Sequence, residues 1–337
     1  MSSLITGGAG FIGSHLAEQL LTQGKEVFVL DNLSTGVISN IAHLESNPNF
    51  HCIIDSVENE NITEELIKRC DQIYHLAAAV GVKLIVEQPT KTIETNISGT
   101  EVVLRFACRY RKKVLIASTS EVYGKSNKPS FSEEDDLVIG PPSKHRWAYA
   151  VSKAVDEFLA MAYWYEKSLP IIVTRLFNTV GPRQTGKYGM VIPRLVTQAL
   201  SERPMTVYGS GEQTRCFIYV KDIVGGLKKL MDSDDAIGEV FNLGNPNEVS
   251  IHDLAVMIKK VTKSPSEIQT ISYTEAYKAG FEDMVRRVPN IEKAKSVIGF
   301  NPTTSLSEIL NEVIAHISKK QFSGKTHTSP EKRAATA

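Results

Sequence analysis

The sequence predicts an α/β protein: a doubly wound parallel sheet joined to a smaller C-terminal α/β lobe that holds substrate. Strand-like and helical stretches alternate through residue 175, a glycine-rich turn separates the first of each, and the rhythm then breaks. The strand-like runs are 3–6, 26–31, 50–54, 72–77, 113–118 and 170–175, against helical stretches at 11–23, 62–70, 89–111 and 148–168. Ligands in such sheets bind beyond the carboxyl ends of the strands, so Ser118 and the run His75 to Ala79 are expected at the crevice. Past residue 175, loops carrying Gly181-Pro182, Gly209-Ser210-Gly211 and Gly244-Asn245-Pro246 join shorter elements. We therefore expect a first domain over 1–175 with later segments returning to it, and a lobe over 176–318. The stretch 319–337 is polar, rich in Lys, Ser and Thr and without periodicity, so it is expected to be disordered.

The first turn justifies a Rossmann-type assignment. Ser3 to Thr6 lead into Gly7-Gly8-Ala9-Gly10-Phe11-Ile12-Gly13, and Phe11, Ile12, Leu16, Leu20 and Leu21 recur at helical spacing. Glycines there let the backbone turn tightly and approach a pyrophosphate, whose charge the helix N-terminus favours. Glu26 to Leu30 form a second strand that ends in Asp31, at the offset of ~20 residues expected for an acid on the adenosine ribose. A carboxylate there accepts from a ribose diol and repels a 2′-phosphate. No Arg follows closely, so the expected cofactor is NAD rather than NADP.

Composition limits what else the chain can be. At 337 residues and 42% hydrophobic content it can bury one large core or two modest ones. Its 38 basic and 38 acidic residues balance and are interspersed, so neither a nucleic-acid nor a membrane surface is expected. Cys52, Cys70, Cys108 and Cys216 show no close pairing, which fits reduced thiols in a cytoplasmic protein rather than a metal knuckle. The first strand begins too close to Met1 for a signal peptide, and no apolar run is long enough to span a bilayer. The histidines, His15 and His75 included, lack metal-ligand spacing, so no metal is expected.

The chemistry concentrates between Ser118 and Lys153. Tyr149 and Lys153, four apart, share one face of a helix. The Lys153 ammonium and a cationic nicotinamide both favour phenolate, making Tyr149 a base for a sugar hydroxyl as hydride leaves the same carbon. Thr119 is placed to hydrogen-bond that oxygen, and Lys153 to reach the nicotinamide ribose. Glu121 discriminates among reactions. A C4 ketone acidifies the C5 proton and turns a C6 carboxylate into a β-keto acid, so a carboxylate beside C5 and C6 favours decarboxylation or dehydration over simple epimerisation. Arg215, behind the loop Gly209-Ser210-Gly211, offers a planar fork to phosphate oxygens.

Thr6 to Gly13, Thr119, Tyr149 and Lys153 resemble the extended short-chain dehydrogenase/reductase family of NAD-dependent nucleotide-sugar epimerases, dehydratases and decarboxylases. The resemblance runs through about residue 316. Within the family, Ser118-Thr119-Ser120-Glu121-Val122-Tyr123-Gly124 is similar to the UDP-glucuronate decarboxylases, such as UDP-xylose synthase and the lipid A aminoarabinose-pathway decarboxylase. Gly140-Pro141, Lys144, Arg146-Trp147 and Phe281-Glu282-Asp283 with Arg286-Arg287-Val288-Pro289 resemble the second of these more closely. The resemblance implies catalytic roles for Ser120, Glu121 and Arg287, with Arg286 competing for the last. It also implies cofactor contacts from Gly7, Gly10, Phe11, Ile12, Gly13, Asp31, Asn32, Asp55, Ser56, Leu76, Ala77, Ala78, Asn96, Tyr149 and Lys153. Substrate contacts are implied for Asn178, Arg183, Val191, Tyr208, Gln213, Arg215 and Arg287. The stretch Ala77 to Pro89 lacks the Pro/Tyr-rich insert of xylose synthases and is more like that of epimerases and 4,6-dehydratases; Lys83 could supply the charge there.

The sequence thus predicts NAD-dependent oxidation of a UDP-hexuronic acid at C4, followed by decarboxylation to a UDP-pentose or a UDP-4-keto-pentose. A UDP-sugar 4-epimerase, a nucleotide-sugar 4,6-dehydratase and a non-catalytic NAD-sensing regulator are the alternatives. The catalytic set argues against the last. Family members commonly pair as homodimers through two helices, here 89–111 and 148–168.

Overall fold

Short, near-continuous apolar runs, buried on both faces, organise the main sheet. A computed structural model describes residues 1–81, 85, 87–186, 189–276, 284 and 286–325. Its first half runs β1 (Ser2–Thr6), α1 (Phe11–Thr22), β2 (Glu26–Leu30), β3 (Phe50–Ile53), α2 (Glu60–Arg69), β4 (Gln72–His75), α3 (Pro89–Tyr110), β5 (Lys113–Thr119), α4 (Trp147–Lys167) and β6 (Ile171–Leu176). There follow β7 (Thr179–Val180), α5 (Val191–Leu200), β8 (Met205–Tyr208), β9 (Thr214–Cys216), β10 (Ile218–Tyr219), α6 (Val220–Asp232), β11 (Glu239–Leu243), β12 (Glu248–Ser250), α7 (Ile251–Thr262), β13 (Ile268–Ile271), α8 (Tyr273–Ala276), α9 (Glu292–Ile298) and α10 (Leu306–Lys325). The seven-stranded sheet has the order β11-β6-β5-β4-β1-β2-β3, and every pairing in it is parallel.

Successive residues of a strand point to opposite faces, and the two faces meet different helices. Ile5, Val27, Val29, Leu115 and Ile172 pack with Leu16 and Leu20 of α1 and Ile223 and Leu227 of α6. Leu4, Phe28, Leu30, Val114, Ile116 and Val173 pack with Leu66 of α2, Val103 and Phe106 of α3 and Ala160 of α4. Both faces are covered, as parallel sheets require.

The strand order reverses between β1 and β4, so the crevice opens where Thr6, His75 and Thr119 end their strands. Residues 220–243 leave the second lobe: α6 packs on the sheet, and β11 pairs with β6 as its seventh strand. The lobe keeps the parallel pairs β8–β13 and β7–β10 and the antiparallel pair β9–β12. α10 continues to Lys325, within the stretch expected to be disordered, and residues 326–337 lie outside the described ones. Once Ile309, Leu310 and Val313 are buried, each further residue adds a backbone bond to an existing helix. No described helix is long and apolar enough to cross a membrane.

Two buried histidines make stability depend on pH. Burial lowers His75 to about 3, helped by Lys153, and lowers His15 to about 4 against the opposing Pro182 carbonyl. Both bind a proton in the unfolded chain below about pH 6.5 but not when folded. Stability is therefore complete above that pH and falls by about 1.4 kcal/mol per unit for each ring as the pH drops toward the folded values. Melting temperature measured from pH 7 down to 5 should fall; a flat profile contradicts two neutral buried rings.

Candidate active site

One crevice of about 1180 Å³ runs along the carboxyl ends of the strands and into the second lobe. It exceeds the ~300–1,000 Å³ that holds a single small ligand, so it has room for two. At one end, Gly7 adopts φ +73, and a Cβ there would meet the Ala77 amide nitrogen at 2.8 Å. A Cβ on Gly13 would lie 2.3 Å from the Gly7 carbonyl oxygen. These glycines let the turn, the β4 loop and α1 close on one another. Neither α1 nor α5 has a side-chain cap, so their first amides are left for an anion. Both first turns line the crevice, through Gly10 and Phe11 and through Val191 and Ile192. Two such termini suit two diphosphates, and the glycine turn fits a dinucleotide.

Asp31 stands on the same wall, and its carboxylate does more than face a ribose. It accepts from the amides of Ala9 at 2.9 Å and Leu33 at 2.8 Å, which ties the glycine turn to the end of β2. Burial pushes its carboxyl up, while the Leu33, Ala9 and Gly10 amides pull it down. A carboxylate has about four acceptor sites, so it can still accept from a diol. Asp31→Ala should weaken NAD by ~10-fold or more, and weaken NADP less, in calorimetric titrations. An equal loss for both would place ribose recognition elsewhere.

Most of the expected cofactor residues reach the crevice. Gly7, Gly10, Phe11, Ile12, Gly13, Asp31, Asn32, Asp55, Ser56, Leu76, Ala77, Ala78 and Tyr149 line it. Asn96 and Lys153 do not line it. Asn96 is buried; its Oδ1 accepts from the Ala79 amide at 2.7 Å and its Nδ2 donates to Ser152 Oγ at 3.0 Å, so it joins the β4 loop to α4. The Lys153 ammonium is also buried and donates to Asp156 Oδ2 at 2.7 Å.

At the centre, Thr119, Ser120, Glu121, Tyr149 and Arg287 converge on the crevice. Thr119 Oγ1 accepts the Glu121 amide at 3.3 Å, which caps the single turn that follows β5, and Thr119 also hydrogen-bonds Tyr149. Arg146 Nη1 pairs with Glu121 Oε2, and Arg287 Nη1 lies 3.4 Å from Oε1. Each carboxylate oxygen thus faces its own guanidinium. Burial pushes Glu121 up, but Arg146, then Arg287 and Arg215, outweigh it and bring it down to about 2. Glu121 is ionised at any working pH. Arg286, the competitor of Arg287, instead holds Glu248, with Nε 2.8 Å from Oε1.

Tyr149 departs from the electrostatics expected of it. Burial, then Glu121 and Asp156, push its phenol up, and only Arg146 and the Thr119 hydrogen bond pull it down. Its neighbour Lys153 is paired at 2.7 Å with Asp156, which pushes the phenol up.

At the far end, Asn178, Arg183, Val191, Tyr208, Gln213 and Arg215 line the wall. Gln213 Nε2 donates to the Tyr208 carbonyl at 2.6 Å, and the Arg194 guanidinium lies 3.9 Å above the Tyr208 ring. Asn178 Nδ2 donates to the Cys216 carbonyl at 3.0 Å. Arg183 has the left-handed φ of +71, held by Glu18 at 3.0 Å. Lys83 lies outside the described residues, as does Phe281-Glu282-Asp283.

Sequence reasoning assigned no role to three residues. Arg146 was noted only in the family resemblance, and Arg194, whose partners Thr206 and Tyr208 lie in β8, left no local signal. Asp156 did leave one, since it lies three residues beyond Lys153 on the same helix.

A parallel sheet with a dinucleotide turn, a Thr–Tyr pair and a second diphosphate end defines an NAD-dependent enzyme of nucleotide-sugar chemistry. The comparisons agree: residues 4–313 match the family described as GDP-mannose 4,6 dehydratase, and the chain belongs to that family, within the extended short-chain dehydrogenases/reductases. It is 43% identical over 312 residues to a UDP-N-acetyl-alpha-D-glucosaminuronate decarboxylase of Bacillus cytotoxicus, covering 92% of this chain and 96% of that one. It is 41% identical over 317 residues to UDP-glucuronic acid decarboxylase 1 of Xenopus tropicalis, covering 94% and 72% respectively. Among solved structures, the UDP-glucuronic acid 4-epimerase of Bacillus cereus, in complex with UDP-glucuronic acid and NAD, superposes with a TM-score of 0.86 at 30% identity, over 95% of this chain and 100% of that one. The cofactor is NAD.

Proposed function

We propose that this protein decarboxylates a UDP-hexuronic acid after oxidising it at C4. The observation that carries the reading is Glu121, ionised between Arg146 and Arg287 and beside Tyr149 in the crevice. An enzyme that only inverts C4 has no use for a fixed carboxylate at that place. The relatives at 41–43% identity are named as decarboxylases, whereas the solved epimerase is 30% identical. UDP-glucuronate is the first substrate to test, and the 2-acetamido uronate of the Bacillus cytotoxicus relative is the second.

Bound NAD supplies the hydride acceptor. Tyr149 takes the proton of the C4 hydroxyl, and Thr119, already hydrogen-bonded to it, fixes the shared oxygen. The C4 ketone makes the C6 carboxylate part of a β-keto acid. Arg287 and Arg146 hold that carboxylate near Glu121, and carbon dioxide leaves with its electron pair passing to the ketone oxygen. C5 then takes its proton from water, which the ionised Glu121 carboxylate and the Ser120 hydroxyl orient. Asn178, Arg183, Tyr208, Gln213 and Arg215 hold the uridine diphosphate. Mass spectrometry of products from UDP-glucuronate, its 2-acetamido analogue and UDP-glucose tests the reading. Loss of carbon dioxide from a uronate supports it, while unchanged mass indicates an epimerase and loss of water from UDP-glucose a dehydratase.

A homodimer and a cytoplasmic location belong to the same reading. The four free cysteines favour a reducing compartment. On α4, Val151, Val155, Phe158 and Tyr165 share one helix face and stay exposed, Phe158 by 71% and Tyr165 by 88%. A second copy would cover that stripe, with α3 packed alongside. Phe158→Lys should convert a dimer into a monomer by light scattering; an unchanged mass would move the interface elsewhere.

A further inference from the structure

We propose that Asp156 is a positioning residue for the Tyr149–Lys153 pair: it anchors the Lys153 ammonium from behind and offsets that cation's charge at the phenol. The inference rests on the acid/base role proposed for Tyr149.

Lys153 Nζ lies 2.7 Å from Asp156 Oδ2, and their side chains are 2% and 0% exposed. Neither residue reaches the crevice wall, so Asp156 acts through its neighbour rather than on a ligand. Thr100 of α3 stands near its carboxylate, whose Oδ1 is buried without a hydrogen-bond partner among the described residues, and the Thr100 hydroxyl is 3.1 Å from His75 Nε2. His75 Nδ1 is 2.8 Å from Thr6 Oγ1. A buried polar chain therefore runs from β1 through β4 to Thr100 on α3, close to the Lys153–Asp156 pair. An ammonium has three donors; one is committed to Asp156, which sets the direction of the other two.

The charges around the phenol show what this does. Glu121 faces it from the turn after β5, Arg146 from the residue before α4, and Lys153 and Asp156 from α4 itself. Arg287 stands behind Glu121, and the Thr119 hydroxyl is the neutral partner. A Lys–Asp pair at contact distance acts on a third group as a dipole, far more weakly than a bare cation. Lys153 alone would favour phenolate. Paired with Asp156, it leaves the phenol holding its proton until another positive charge arrives beside it, so proton removal is tied to cofactor occupancy.

The test follows Tyr149 directly. Protein labelled at the tyrosine Cζ carbon and saturated with NAD, without sugar, is titrated from about pH 6 to about pH 12, spanning both sides of the usual phenol value. Tyr149→Phe assigns the resonance. In Asp156→Asn the ionisation should move down by about one unit relative to wild type, and the acid limb of kcat against pH should move with it. Asp156→Glu keeps the charge and should follow the wild-type course. A Tyr149 signal that runs identically in wild type and Asp156→Asn overturns the proposal, since a merely structural residue would alter melting temperature or rate without moving this titration. Should the Asn variant not fold, Lys153→Met leaves Asp156 unmatched and should move the ionisation up; an unmoved or lowered signal overturns the proposal equally. No sugar enters the titration, so lack of turnover on any UDP-hexuronate would reject the proposed function without deciding this one.

Discussion

Replacing Tyr149 by Phe should lower turnover at least ~10²-fold while leaving the fold and NAD affinity close to wild type. The phenol oxygen is the group that gains and returns the C4 proton, and Thr119 is its hydrogen-bond partner. The ring itself is 7% exposed and packed, so Phe keeps its shape and loses only the acid/base atom. Single-turnover absorbance near 340 nm, recorded with UDP-glucuronate, checks the chemical step. Turnover within a few-fold of wild type would mean that another base serves C4.

Glu121→Gln should suppress release of carbon dioxide by at least ~10²-fold yet still permit oxidation at C4. Here the structure adds a second consequence. Glu121 is the common partner of Arg146 and Arg287, all three largely buried, and a neutral amide leaves two cations facing each other. Breaking a buried pair from one side costs about 3–5 kcal/mol, so the variant should also melt lower. Part of that cost returns when substrate binds, because a uronate carboxylate restores the missing charge between the guanidiniums. UDP-glucuronate should therefore stabilise the variant against melting more than UDP-glucose does. Normal decarboxylation by this variant would make Glu121 an onlooker, and equal stabilisation by the two sugars would remove the arginines from carboxylate recognition.

The parts of the fold written locally were legible in the sequence. The strands through β6 and helices α1 to α4 follow from apolar runs, helical periodicity and the glycine turn, and each was placed within about two residues. Asp31 was legible because it closes a strand at a fixed distance from the glycines. What was not legible depends on distance along the chain. Glu121 meets Arg146 after 25 residues and Arg287 after 166, and no period in the sequence announces either meeting. β11 was lost among the glycine loops because its five residues, Glu239 to Leu243, mix Glu and Asn into too short an apolar run to show a pattern. The helix at 319–325 has a composition that reads as tail and borrows its helicity from the buried turns before it. Lys153 is the instructive case. The Tyr-x-x-x-Lys spacing led to a cation acting on a phenol, whereas three residues further along the same helix stands the acid that offsets it.

Incubating the purified protein with NAD in excess over UDP-glucuronate carrying a ¹³C label at C6 tests the central claim most directly. Labelled carbon dioxide should appear in step with substrate loss, leaving an unlabelled UDP-pentose or its 4-keto form. Label retained in a UDP-sugar of unchanged mass would contradict it.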